Sequence, residues 1–232
     1  MRSIAFAKHG VIVFLALLFL SSSSSANERL FLRAGLVAIN AESVKGSLAF
    51  EDVSLPETHL GVGDIKQAGL MLSWRLKKNI ALETLISTPL KLKFNAGGGL
   101  LGPDFHAGSI DGLPLTIIAR YDLPWRWKNI TTFVGAGGTY LYFRNAHTTP
   151  ALDELGALFG ASDPQLTIKN HWRAIVELGM DYQFSDQWFA NLTWLYFEGS
   201  TNIDITFSNN TQLTSHVSYA PQIFAFTLGY RF

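Results

Sequence analysis

Enzyme chemistry needs a nucleophile with a base beside it, or side chains spaced to hold a metal. Beyond the N-terminal segment the histidines are His59, His106, His147, His171 and His216, and no two stand at metal-ligand spacing. Asp104-Phe105-His106 and His171 could meet only across loops, and each reads as a solvated loop residue. Gly97-Gly98-Gly99 lacks the Gly-Lys-Ser/Thr ending of a phosphate loop and reads as flexible chain. Eighteen acids balance eighteen bases, so no basic surface for nucleic acid is indicated. With no cysteine either, the chain offers no enzyme centre and no cofactor or metal site, and its charges read as partners for one another. One residue stands out against that background: Pro89, inside an otherwise regular alternating run.

The elements that would position these residues follow from a period of two. At the C-terminus Gln222, Phe224, Phe226, Leu228, Tyr230 and Phe232 alternate with Ile223, Ala225, Thr227, Gly229 and Arg231, one face greasy and the other small or charged. The same pattern runs over Gln67 to Leu76 and, after the Lys77-Lys78-Asn79 turn, over Ile80 to Phe94. Leu113 to Leu123 joins Thr131 to Asn145 through a turn with two tryptophans, Trp125 and Trp127, suited to a membrane interface. Leu166 to Phe184 joins Trp188 to Glu198 through Ser185-Asp186-Gln187, and with Leu30 to Asn40 first and the C-terminal strand last the count is eight. The Gly-rich stretch Phe133 to Tyr142 is apolar on both faces and gives no register.

Connections alternate short (77–79, 124–129, 185–187) and long (41–64, 95–112, 146–165, 199–218), the rhythm of an all-β, eight-stranded antiparallel transmembrane barrel with periplasmic turns and extracellular loops. In the third long connection, Pro150 to Gly160 carries Leu152, Leu155, Leu158 and Phe159 at helical spacing and predicts a short helix capping the mouth. Residues 1–26 read as a signal peptide: Arg2 and Lys8, a ten-residue apolar run from Val11 to Leu20, then small residues to Ala26. After Leu20 no apolar run approaches the ~18 residues of a spanning helix. Residues 27–232 therefore enter a membrane only as a closed barrel, which lacks free edges and folds without a partner. The terminal strand ending in Phe232 is the feature that outer-membrane assembly machinery recognises, which places the chain in a bacterial outer membrane in contact with lipid.

Strict alternation turns Arg33, Arg75, Glu83, Lys91, Lys93, Arg120, Arg173, Glu177, Asp181 and Arg231 inward. Charges inside so narrow a barrel require pairing, which predicts a salt-bridged layer and excludes a wide aqueous pore. Above it Val37, Ile39, Leu85, Ile175, Leu195 and Phe197 also turn inward, as a packed plug or as an apolar funnel. Proline donates no ladder hydrogen bond, so Pro89 predicts a bulge or gap in the wall, through which an apolar solute could leave sideways.

The chain resembles the outer membrane protein W family, which includes alkane-importing relatives. The resemblance rests on Phe31-Leu32-Arg33-Ala34-Gly35, Asn79-Ile80-Ala81-Leu82-Glu83, Ser87-Thr88-Pro89, Gly112-Leu113-Pro114, Phe133-Val134-Gly135-Ala136-Gly137, Lys169-Asn170-His171-Trp172, Gly179-Met180-Asp181-Tyr182 and Gly229-Tyr230-Arg231-Phe232. It implies a hydrophobic channel closed toward the periplasm, with passive uptake of small hydrophobic molecules and lateral release near Pro89. Trp172 matches a family tryptophan near the channel, although alternation turns it toward lipid, and Ala41 to Asp64 matches poorly. A structural or adhesive barrel acting through its extracellular loops is the second expectation.

Overall fold

The computed structural model describes residues 29–41, 45–158 and 160–232; the signal-peptide reading lies outside them. The described residues form β1 (Leu30–Asn40), β2 (Lys45–Phe50), β3 (Val53–Ser54), β4 (His59–Val62), β5 (Ile65–Lys77), β6 (Ile80–Ser87), β7 (Leu90–Gly97), β8 (Phe105–Trp127), β9 (Ile130–Thr148), β10 (Gln165–Ile168), β11 (His171–Gln183), β12 (Trp188–Tyr196), β13 (Gly199–Thr206), β14 (Gln212–Tyr219) and β15 (Gln222–Arg231). Eight of these close a ring in the order β8, β6, β5, β1, β15, β12, β11, β9 and back to β8. Every pairing in the ring is antiparallel, as hairpins with short turns demand.

Alternation is cleanest in β15, where exposed Phe224, Phe226 and Leu228 sit between buried Ile223, Ala225 and Thr227. A row of large apolar side chains so exposed, continued by Leu82, Ile117, Leu178 and Leu192, is the lipid face of a membrane barrel. Aromatics bound it: Trp74, Trp125, Trp127, Tyr182 and Trp188 near the short turns, Tyr142 and Trp172 toward the other end. Among the described residues no helix is long and apolar enough to cross a membrane. The Gly-rich strand also finds its register. Phe133 points inward at 0% exposure, and a Cβ on Gly135 would sit 2.6 Å from a Glu177 oxygen, so glycine there makes room for a carboxylate in the interior.

The long connections differ from the expected loops. Beyond the ring β8 continues upward and carries a second sheet in the order β7, β4, β2, β14, β13, β10, and β10 lies against β9. These strands alternate too: Leu213, Ser215 and Val217 of β14 are buried, as are Ile203 and Ile205 of β13. They surround an apolar core that includes Leu48, Leu60, Phe94, Ile110 and Phe207, forming a packed head. The expected helix is present over Pro150–Leu158. Proline suits its first position, and Gly160, at φ 69°, reverses the chain after it. Leu152, 1% exposed, inserts into the head core with Leu155 beside it. The side chain of Leu158, and Phe159, lie outside the described residues.

Candidate functional site

The interior is layered, and each layer is one rung of alternating side chains. The lower layer is charged. Arg33 is fully buried and places Nη2 2.5 Å from Glu83 and 3.0 Å from the Ser73 hydroxyl, which itself donates to Glu83 at 2.9 Å. Arg120 donates to Asp122 at 2.7 Å and Asp181 at 2.5 Å and reaches Glu83 at 3.4 Å, while Arg75 bonds Asp122 at 3.0 Å. Asn191 extends the network by donating to Asp181 at 2.7 Å and accepting from Thr193 and Thr227. The Arg120 guanidinium lies 3.4 Å over the centre of the Phe133 ring, and Arg75 and Arg231 lie over Phe31 at 4.6 and 5.1 Å. Arg33, Arg75 and Arg120, paired with acids, and the cations packed on ring faces fill the interior at this level with charged and aromatic side chains.

Two to four residues further up the strands the side chains become apolar. Val37, Ile118, Ile175, Leu195 and Ile223 form a collar over the charges. Between this collar and the head lies an apolar cavity, bounded below by Val37, Ile175, Leu195 and Ile223. Phe94, Ile203 and Val217 of the head core line it from above, and the few polar side chains on its wall include Gln67, Ser87, Thr116 and Thr201. Burying a solute there removes apolar surface from water with almost no polar group to satisfy, which selects apolar over charged molecules.

The wall of the cavity has a seam. The β6–β8 ladder ends at Leu85↔Thr116 and pairing resumes on β7 at Leu90↔Gly112, so residues 86–89 face 113–115 without a ladder, four against three. Pro89 lies on one lip and Pro114 on the other, and neither has an N–H to donate across it. Gly112, Leu113 and Pro114 all touch the cavity, although alternation sends every second side chain outward; a strand does this where it presents its unpaired edge. Ser87 and Leu90 complete the cavity side of the seam, and the Ser87 Oγ is buried without a hydrogen bond in the protein.

The extra residue at the seam overturns two inward assignments. Below it the inward residues of this run are Ala81, Glu83 and Leu85, and above it they are Leu90, Leu92 and Phe94. Lys91 and Lys93 are therefore exposed on the outer surface rather than inside. Arg173 does turn inward, but far above the charged layer, where it donates to the Ser200 carbonyl and lies 5.8 Å from the Tyr219 ring. Of the expected pathway residues, Val37, Ile39, Leu85 and Ile175 line the cavity and Pro89 lies in its wall. Trp172 does not: it is 62% exposed on the outside, 5.1 Å from the Tyr140 ring. Arg33, Arg75, Glu83, Arg120, Glu177, Asp181 and Arg231 all point inward, with Glu177 3% exposed and facing Glu83, Arg33 and Arg120. Three participants escaped sequence reasoning. Asp122 had a signal, standing two residues from Arg120 on the same face; Phe133 sat in the unread stretch; Pro114 lay at the edge of its predicted strand.

The histidines do not assemble. His59 pairs with Asp104 at 2.9 Å, His106 with the Phe94 carbonyl at 3.1 Å, His216 with Asn202 at 2.8 Å, and His171 with the Tyr219 hydroxyl at 2.5 Å. Among the described residues no group of three His, Cys, Asp or Glu side chains could hold a metal ion.

Known proteins share this fold. The OmpW family model matches residues 26–232. Outer membrane protein W of Escherichia coli strain K12 is 29% identical over 219 residues, 92% of this chain and 93% of that protein. Among solved structures, outer membrane protein OprG from Pseudomonas aeruginosa superposes with a TM-score of 0.76 at 20% identity, covering 90% of this chain and 98% of that one. Outer membrane protein AlkL in lipid bilayers gives 0.62 at 16% identity, covering 91% and 94%. A family match over nearly the whole chain, joined to a closed eight-strand ring with a lipid-facing apolar band, leads to one conclusion: this chain belongs to the OmpW family and is a β-barrel of the bacterial outer membrane.

Proposed function

We propose that this barrel is a passive channel for small hydrophobic molecules, which it releases sideways into the membrane at the seam between Pro89 and Pro114. The observation that carries the reading is the reach of the apolar cavity: the same space that lies over the collar is lined by Ser87, Leu90, Leu113 and Pro114 at the break in the wall. Beneath it, the paired charges around Arg33, Glu83 and Arg120 oppose passage toward the periplasm. An apolar solute in the cavity thus meets a charged floor below and a break toward lipid at its side, and the free energy favours the side. The packed head above supports a second reading, a barrel whose role resides in its extracellular surface.

The two readings separate in proteoliposomes. Purified protein is reconstituted, and entry of a short alkane or medium-chain fatty acid is compared with entry of a charged solute of similar size. Selective entry of the apolar solute is expected; entry of neither would leave the surface reading. The chain has no cysteine, so Ser87→Cys places a single thiol at the seam. Alkylating it with a bulky reagent should reduce apolar entry at least several-fold while the unmodified variant conducts normally. Full conduction after complete labelling would overturn lateral release.

A further inference from the structure

The flip of β7 puts cations where the interior reading had no use for them. Lys91 lies beside Asp111, and Asp111 beside Arg144, across three neighbouring strands of the outer surface. One rung higher, Lys93, Ser109 and His147 repeat the row. Lys91, Lys93, Arg144 and His147 are all exposed. A one-residue bulge at Asn145, φ 53°, keeps Arg144 and His147 on the same outer side, and the Asn145 amide donates to Asp111 at 3.0 Å. Among the described residues, Lys91, Lys93 and Arg144 have no ion pair, although the chain as a whole is neutral.

Depth supplies the second observation. Tyr142 precedes Arg144 by two residues on the same face, about 7 Å along the strand, and is 38% exposed in the outer aromatic girdle with Trp172. Immediately below come the lipid-facing Leu115 and Ile117. The cation rows therefore stand one step above the hydrocarbon, at the level of lipid headgroups. Three unpaired cations at that depth, fixed on a rigid sheet, complement an anionic headgroup presenting more than one phosphate.

We propose that the outer surface formed by Lys91, Lys93, Arg144 and His147 is a binding site for a phosphorylated lipid of the outer leaflet, held by its headgroup phosphates while its acyl chains lie on Leu115, Ile117 and the girdle. The site adjoins the seam at Pro89 yet does not depend on what passes through it.

The test uses the full-length barrel in detergent and lipid A, the bis-phosphorylated acylated disaccharide, with adducts counted by native mass spectrometry. Wild type should retain lipid A and not its dephosphorylated form. The triple variant Lys91→Gln/Lys93→Gln/Arg144→Gln should lose roughly fivefold in affinity for each cation removed. Lys77→Gln/Lys78→Gln/Lys128→Gln, which removes the same charge at the periplasmic end, should bind as wild type does. Retention by wild type should also weaken as salt rises. The triple variant changes only exposed side chains, and its heat-dependent shift in gel mobility reports whether the barrel has closed. Equal retention by wild type and the triple variant, equal retention of the dephosphorylated lipid, or an equal loss in the periplasmic control would each overturn the site. Displacement by equimolar inorganic pyrophosphate would also overturn it, since that outcome marks a free-anion site rather than a lipid site.

Discussion

Glu83 and Glu177 show how two identical side chains in one layer come to carry different burdens. Both are buried, at 1% and 3% exposure. Glu83 accepts from Arg33, Arg120 and Ser73, whereas neither oxygen of Glu177 receives a bond from an arginine or a hydroxyl. Removing one partner of a buried ion pair leaves the other charge uncompensated and costs about 3–5 kcal/mol. Glu83→Gln strands the fully buried Arg33, whose ion pair among the described residues is with Glu83, while Arg120 keeps Asp122 and Asp181, so a loss within that range is expected. Glu177→Gln replaces a carboxyl that stands beside Glu83 with no hydrogen bond from an arginine or a hydroxyl, and should leave stability nearly unchanged. Urea unfolding of the two variants in lipid vesicles, followed by tryptophan fluorescence, checks the contrast. If they destabilise equally, the division of labour inferred from the hydrogen bonds is wrong.

At the level of elements the seam acts as a register device. One extra residue between the β6 and β7 ladders changes which side chains face inward, so Leu90, Leu92 and Phe94 fill the cavity and head while Lys91 and Lys93 face out. Deleting Thr88 would equalise the two sides, three against three, so that unbroken alternation from Leu85 carries Leu90, Leu92 and Phe94 inward and Lys91 and Lys93 outward with a continuous ladder. That deletion should keep the heat-modifiable folded band and lower apolar entry by closing the seam, whereas Pro89→Val, which restores an N–H without changing the count, should fold and lower entry less. A deletion variant that folds and admits apolar solutes as wild type does would contradict the role given to the extra residue. The same device explains what could and could not be read from the chain. Alternation in β1, β11, β15 and β6 below the seam gave the inward faces because nothing interrupts their period, and the cavity residues Val37, Ile39, Leu85 and Ile175 follow from it. Past Pro89 the period continues in sequence but slips in space, and a break in the wall does not show how many residues it absorbs. In β9 the difficulty was opposite. Its inward glycines make room for side chains from neighbouring strands, and contacts such as Gly135 with Glu177 depend on partners 42 residues away.

For the whole molecule the consequence is a division into two stacked units that share β8 and β9. The ring closes through its own ladders and is filled by the charged layer and collar; the head is filled by its own apolar core, reached by the helix through Leu152. The head strands β2, β4, β10, β13 and β14 take no part in the closure of the ring. Damage to the head core should therefore stay in the head. Leu152→Ala removes a side chain of 1% exposure and is expected to cost about 2–5 kcal/mol, since the small helix can only partly collapse into the space. Hydrogen exchange resolved by segment should then show faster exchange in β10, β13 and β14 with protection in β1, β12 and β15 unchanged. Because the head core also roofs the cavity, loosening it should raise the entry rate of apolar solutes in the same preparation. Uniform loss of protection would show instead that ring and head unfold as one unit. Faster exchange in the head with unaltered entry would place the rate-limiting barrier at the seam.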